Sequence, residues 1–275
     1  MPTIVLAVAC LGASLLAYGW MEAGWLRRRV LEVAIADLPP DLDGLRIGHL
    51  SDLHLGAPLS RGNRAARRAV NWVAERRPDI ACITGDLVSH PRGEPLLRSL
   101  LSRLDAPLVV LGNHDVAITR DPFSKAAELR DLERTRLLRD EVAQLEARGI
   151  PVIVVGVDPE SYRRGETQLP PMGAAAPLKL LLCHFPGIVG RIPRGAFDLI
   201  LSGHLHAGQI CLPLPGRRIT LAHPRARFVA GLYETEAGIM HVSPGTGTTF
   251  VPFRFFARPE VTELVLRRGA RDGGL

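Results

Sequence analysis

The sequence predicts an α/β fold in which two β-sheets pack face to face with helices outside. Three observations carry this. Apolar strand-length runs alternate with amphipathic helical stretches in the first half of the 275 residues. After about residue 195 only short β segments follow. Five of the apolar runs end in carboxylate, imidazole or carboxamide side chains: Ile47–Leu50 before Asp52, Ile80–Ile83 before Asp86, Leu108–Leu111 before Asn113, Leu180–Leu182 before His184, and Leu199–Leu201 before His204. Ligands of open α/β sheets bind beyond the carboxyl ends of the strands, so five such ends can converge on one spot.

The elements follow in order. Residues 2–21 hold no charged side chain, enough apolar length to span a bilayer. Tyr18, Trp20 and Trp25 sit at the far end as interfacial aromatics do, and Arg27, Arg28 and Arg29 follow. The positive-inside rule then puts the rest of the chain in the cytoplasm, as a single-pass protein of the inner membrane. A cleaved signal peptide is the competing reading, with Ala17-Tyr18-Gly19 as the cleavage site. The missing basic n-region argues against it.

Residues 1–25 are accordingly read as the anchor, 26–44 as a juxtamembrane linker and first strand, 45–267 as the main domain and 268–275 as a flexible tail. Leu45–Leu50, Asp79–Thr84, Pro107–Leu111, Val152–Val157, Leu178–Cys183 and Phe197–Leu201 read as strands, and so do Ile219–Ala222, Arg227–Leu232, Ile239–Val242 and Val261–Leu266. Asn63–Glu75, Pro95–Leu104 and Ser124–Leu132 read as helices. Propensity extends the last of these through Arg136–Ala147, and Asp158–Ala176 reads as a loop.

Cys10, Cys82, Cys183 and Cys211 have neither CxxC spacing nor the density of a disulfide framework, which permits a reduced compartment and disfavours a zinc ribbon. Cys82 and Cys183 lie in apolar runs as small hydrophobes. A net charge of +6 favours anionic partners, whether phosphate, nucleic acid or acidic lipid, without choosing among them. The plainer reading of the Arg61, Arg64, Arg67 and Arg68 face is solvated surface, and of Phe250, Phe253, Phe255 and Phe256 core packing; acidic headgroups and an acyl-binding groove are the sharper ones.

Asp52-Leu53-His54 and His204-Leu205-His206 place two ligands on one side of an extended segment. The mixture of carboxylate, imidazole and one carboxamide suits Mn, Fe, Zn or Co, and is too rich in nitrogen for Ca or Mg alone. His49, His90, His223 and His241 lack such a context, with His90 a candidate for contact behind the ligands.

Ser51-Asp52-Leu53-His54, Gly85-Asp86-Leu87, Gly112-Asn113-His114-Asp115, His184 and Gly203-His204-Leu205-His206 together resemble the calcineurin-like metallophosphoesterase superfamily. The similarity covers roughly residues 30–267. Gly208-Gln209-Ile210, Arg254 and Pro259-Glu260 resemble its membrane-anchored bacterial branch. The resemblance implies a four-layer αββα sandwich, two packed mixed sheets flanked by helices, after the transmembrane helix. It turns Arg136–Leu145 into β-strands.

It also implies two divalent metal ions, manganese favoured. Asp52, His54 and His206 would hold one, Asn113, His184 and His204 the other, with Asp86 bridging. A metal-bridging hydroxide would attack phosphorus. His114 would stabilise the transition state or protonate the leaving oxygen, with Asp115 orienting its imidazole. The expected partner is a phosphodiester, pyrophosphate or phosphomonoester, with a lipid-linked pyrophosphate of the UDP-2,3-diacylglucosamine type as the narrower alternative and a catalytically silent metal-binding scaffold as the other. No specific nucleic-acid partner is expected, and nothing sets an oligomeric state. Two departures stand out: Ala207 where glycine is commoner, and Val88-Ser89-His90 where an acidic residue often follows the bridging Asp.

Overall fold

The structure, a computed structural model, describes residues 1–129, 131–167, 169, 176–214 and 217–269. It is the αββα sandwich. One six-stranded sheet runs β1 (Arg27–Ala36), β14 (Glu260–Gly269), β2 (Arg46–Leu50), β3 (Ile80–Thr84), β4 (Leu108–Val110), β5 (Arg136–Leu137). The other runs β12 (Gly231–Thr235), β13 (Gly238–Val242), β9 (Leu199–Ser202), β8 (Leu178–Leu182), β7 (Ile150–Gly156), β6 (Glu141–Ala147). A small antiparallel pair, β10 (Cys211–Leu214) and β11 (Arg217–Thr220), stands apart.

Strands buried on both faces feed two cores at once, because successive side chains point to opposite sides. Ile80 and Cys82 face the second sheet, where they meet Val152, Val154, Leu180 and Leu199. Ala81 and Ile83 face outward onto Ala66, Val70 and Val73 of α2 (Gly62–Arg76) and Leu97 and Leu100 of α3 (Glu94–Leu101). Outside the second sheet, Ile153, Val155, Leu181 and Ile200 pack under Tyr162 of the short α4 (Pro159–Arg164) and under Phe185 and Ile188. Cys82 and Cys183 are buried, as their apolar surroundings predict.

The resemblance is right and propensity wrong over Arg136–Ala147. Arg148 and Gly149 both have positive φ (53° and 80°), the geometry of a two-residue hairpin, and Ala147 pairs with Ile150 across it. Ser124–Leu132 forms no helix among its described residues; Arg130 lies outside them. Its groups bond elsewhere: Lys125 N–H donates to Ser89 O, and Leu129 and Leu132 are buried against the outer core of the first sheet. Tertiary partners override propensity there. The expected loop Asp158–Ala176 contains α4, capped by the Asp158 carboxylate accepting from Glu160 N–H; residues 168 and 170–175 lie outside the described ones. The expected strand Arg227–Leu232 begins only at Gly231. β14 reaches Gly269, two residues into the expected tail, whose residues 270–275 are outside the described ones.

The apolar helix α1 (Pro2–Glu22) is long and apolar enough to cross a membrane. No free linker separates its last turn from β1. Arg254 N–H donates to Gly19 O at 3.0 Å, and the Glu22 carboxylate accepts from Phe256 N–H and Ala257 N–H. A Cβ on Gly19 would lie 2.4 Å from the Phe255 ring, so only glycine admits this approach. Phe250 and Phe256 are exposed rather than core, and Phe255 and Phe256 lie against Tyr18.

His49 and His241 bridge the sheets, Nδ1 to Nδ1 at 2.7 Å, with His49 Nε2 2.9 Å from Thr84 Oγ1. The arrangement without an orphaned N–H has His241 Nδ1–H donating to His49 Nδ1 and His49 Nε2–H donating to the Thr84 hydroxyl. Burial pushes His49 well down, and His241 to about 3. A depressed folded-state pKa gives stability that is complete above the unfolded value of roughly 6.5. It is lost as the pH falls from there toward 3. For His241 alone the unfolding free energy should drop by about 2 kcal/mol between pH 7 and pH 5. Urea denaturation of wild type and His241→Gln at both pH values checks this; equal drops in the two proteins refute it.

Candidate metal centre

The carboxyl ends of β2, β3, β4, β8 and β9 all point to one end of the sandwich, and their loops bring the seven expected ligands together there. Asp52, His54, Asp86 and His206 offer ligand atoms that all lie within 4.8 Å of one another, as do Asp86, His184 and His204. Asp86 belongs to both groups. Its Oδ2 is 3.4 Å from His54 Nε2 and 3.2 Å from His184 Nε2. Asn113 Oδ1 lies 3.2 Å from His184 Nε2, beside the second group.

Asp-x-His and His-x-His are not extended segments, contrary to the period-two expectation. Asp52, His54, Asp86, His204 and His206 have φ of 49°, 45°, 53°, 75° and 50°. Left-handed backbone in non-glycine residues costs free energy and concentrates at functional sites. It curls each loop so that neighbouring ligands converge. Ala207 shares this conformation at φ 54°, which is why glycine suits that position better. Glycines close the remaining space: a Cβ on Gly203 would meet Asp52 Oδ2 at 2.3 Å.

Partners behind the ligands set which atoms face inward. His184 Nδ1 lies 2.8 Å from Thr84 O. A carbonyl only accepts, so Nδ1 carries a proton and Nε2 is the atom turned inward, where its own proton is the one a cation would displace. Nε2 faces Asp86 Oδ2, Asn113 Oδ1 and His204 Nδ1, all at 3.2 Å. His54 Nδ1 bonds Ser89 Oγ at 2.8 Å, which leaves its Nε2 3.2 Å from His206 Nε2. Ser51 Oγ–H donates to Asp52 Oδ2 at 2.6 Å. Electron pairs thus converge on two points, and cations are what such a donor set fits.

Charge agrees. Burial alone would raise Asp86, but His184 and His114 and the hydrogen bonds from His184 and His54 hold it well below the usual carboxylate range. Burial opposes protonation of His184, yet Asp86 overrides it and raises the imidazole to about 9. Burial raises Asp52 and pushes His204 down to about 3.

Asp115 does not orient His114. Its carboxylate accepts from Leu87, Val88 and Gly112 N–H at 2.9–3.1 Å, tying the loop after β3 to the loop after β4. The short loop geometry turns it away from the imidazole. His114 instead touches Ser124 Oγ through Nδ1 (3.0 Å) and Thr119 Oγ1 through Nε2 (3.2 Å), and its backbone N–H donates to Asp86 Oδ1 at 2.8 Å. His90 bonds Arg92 N–H and touches no ligand; Ser89 beside it does. Sequence reasoning missed Ser51, Thr84, Ser89, Thr119 and Ser124. Ser51 and Thr84 leave a weak signal, as hydroxyls at the ends of two ligand-bearing strands.

Arg254 is fully buried, with no carboxylate partner among the described residues. Its guanidinium donates to the carbonyls of Gly247, Ala257, Pro244 and His206 at 2.7–3.3 Å. Burial lowers it to about 10, against the pull of Asp52 and Glu22. The centre opens into a cavity of about 530 Å3 whose wall includes Arg120, Arg163, His223, Thr249 and Phe250.

Residues 45–208 match the calcineurin-like phosphoesterase family. The chain belongs to that family. It is therefore a metal-dependent phosphoric ester hydrolase that uses divalent metal ions. It is 33% identical over 283 residues to a transmembrane protein with a metallophosphoesterase domain from Danio rerio, covering 93% of this chain and 61% of that one. It is 26% identical to a phosphodiesterase of Escherichia coli, covering 94% of this chain and 96% of that one. It is also 26% identical to a UDP-2,3-diacylglucosamine pyrophosphatase of Chlamydia trachomatis, covering 91% and 93%.

Proposed function

We propose that this phosphoesterase is a membrane-anchored phosphodiesterase or pyrophosphatase with two metal ions, manganese favoured. The observation that carries the reading is the shared position of Asp86 between the two ligand groups. Asp52, His54 and His206 would hold one cation, and Asn113, His184 and His204 the other. Bound there, divalent cations supply Lewis-acid polarisation of phosphoryl oxygens and activation of water.

The chain's own residues do the rest. His114, held at Nδ1 by the Ser124 hydroxyl and seated at the cavity wall, turns Nε2–H from the Thr119 hydroxyl to the leaving oxygen. Asp115 keeps Asp86 and Asn113 in mutual register through three backbone N–H groups. Arg120 and Arg163 on the wall suit a second anionic group, which favours a pyrophosphate over a substrate with a single phosphate. The intact ligand set argues against a silent scaffold.

A lipid-linked pyrophosphate is the second reading. It is supported by the relative from Chlamydia trachomatis and by the apolar residues beside the cavity. Helix α1 would be the anchor, and the arginines that follow it favour a cytoplasmic domain at the inner membrane.

Purified protein reconstituted with manganese should hydrolyse an aryl phosphodiester and bind two metals per chain. Fewer than one bound metal with no turnover would refute the reading. Faster turnover of soluble cyclic nucleotides than of lipid pyrophosphates would refute the lipid substrate alone.

A further inference from the structure

We infer that the apolar rim beside the metal cavity, formed by Leu59, Phe123, Phe250, Val251 and Phe256, is a bilayer-contact surface that seats the mouth of the site in the lipid interface. The inference rests on the reading of α1 as a membrane span, and extends it from a tether to an orientation.

The topology puts the helix and the metals at the same end of the sandwich. β1 starts at Arg27 beside Glu260, the first residue of β14. β14 runs antiparallel to β2, with Thr262 beside His49 and Val265 beside Arg46. The start of β1 is therefore level with the carboxyl end of β2, from which Asp52 follows. A helix ending at Glu22 meets the domain where the ligand loops emerge.

The junction is rigid. Besides the Gly19, Glu22 and Arg254 contacts, Trp20 Nε1–H donates to Leu59 O at 2.9 Å, the Arg61 guanidinium lies 4.6 Å from the centre of the Trp20 ring, and that of Arg258 lies 4.2 Å from the Trp25 ring. The exposed apolar face of the helix continues down to Met21. Hydrocarbon around that face reaches the level of the domain, and the rim is what it meets.

Leu59 is 84% exposed, a high value for a leucine outside an interface, and Phe123, Phe250, Val251 and Phe256 are exposed as well. Leu59, Phe123, Phe250 and Val251 surround one groove, with Pro58 and Pro252 between them. Phe256 lies against Tyr18 of the helix. Thr249 and Phe250 belong both to this groove and to the metal cavity. A contiguous apolar patch on the membrane side, flanked by interfacial aromatics and arginines, fits the boundary between headgroups and acyl chains. A phosphate carried at that depth enters the cavity past Phe250 without leaving the interface.

Spin labels on the full-length chain in lipid nanodiscs test this. The three cysteines other than Cys10 are buried, so wild type labels at Cys10 and reports whether α1 is in lipid. In a Cys10→Ser background, Leu59→Cys and Val251→Cys are labelled, with Glu75→Cys near the start of β3 as the reference at the opposite end of the sandwich. Labels at 59 and 251 should collide with oxygen in lipid and be shielded from a water-soluble nickel complex, with the reverse at 75. Water exposure at 59 and 251 equal to that at 75 overturns the inference, as does an aqueous label at Cys10.

The readout needs no turnover, so lipid-seated labels in a protein that hydrolyses neither diester nor pyrophosphate would uphold the surface and sink the proposed substrate class. As a second measure, Leu59→Glu with Val251→Glu should leave hydrolysis of a soluble aryl phosphodiester unchanged. Hydrolysis of a long-chain phosphodiester held in the nanodisc should fall about tenfold. Unchanged hydrolysis of both substrates, or equal loss of both, counts against the surface.

Discussion

Asp86→Asn should cost more activity than any other single change and leave the fold intact. Asparagine retains an oxygen for His114 N–H, which now bonds Asp86 Oδ1 at 2.8 Å. What it removes is the negative charge facing both His54 Nε2 and His184 Nε2. Each proposed cation position would lose its common anionic ligand at once. With about 4 kcal/mol of charge stabilisation gone, kcat should fall by about three orders of magnitude or more. Metal analysis should find at most one ion per chain, while the urea midpoint of the metal-free protein changes little. Two tightly bound ions with near-normal kcat would remove Asp86 from the bridging position. His184→Ala should show the contrast, with one ion retained.

Arg254→Met should be the most destabilising change outside the inter-sheet core. Methionine fills much of the same space but donates nothing. The carbonyls of Gly247, Ala257 and Pro244 would be left buried and without their donor, and that of His206 would keep only Gln209 N–H. Orphaning several buried acceptors costs about 3–5 kcal/mol, to be read from urea unfolding. Because one of the four belongs to His206, affinity at the position it shares with Asp52 and His54 should fall by about 10–100-fold. Arg254→Lys should recover little, since one ammonium cannot serve carbonyls spread around a planar fork. Full recovery by lysine would show that charge near Asp52, rather than the fork, matters.

Much of the site was legible because its ligands follow strand ends directly, and a strand end is visible as the stop of an apolar run. Asp52, Asp86, Asn113, His184 and His204 are all of this kind. What surrounds them was not. Thr84 and Ser89 act through contacts with residues 100 and 35 positions away, and no local pattern marks such pairs. Asp115 was misassigned for the same reason: adjacency to His114 suggested contact, whereas the turn directs its carboxylate to Gly112, Leu87 and Val88. The fold divides similarly. Ile80–Thr84 and Leu178–Leu182 reveal themselves as short runs apolar on both faces, but Arg136–Ala147 has good helix formers and becomes strand only through its pairing with Ile150–Gly156. The described residues of Ser124–Leu132 form no helix because Lys125 N–H and two leucines find partners elsewhere.

Thr84 has a wider reach than a single hydrogen bond. Its carbonyl receives the His184 imidazole from the opposite sheet and lies 3.0 Å from the Ser51 hydroxyl, which holds Asp52, while its own hydroxyl receives His49, which leans on His241. One residue thus gauges the gap between the layers and transmits it to a ligand on either side. The separation of the two proposed cation positions would therefore be a property of the thickness of the sandwich, set by how Ile47, Cys82, Leu180 and Leu201 interdigitate. Core packing and metal spacing are one dimension of this molecule, measured at two depths.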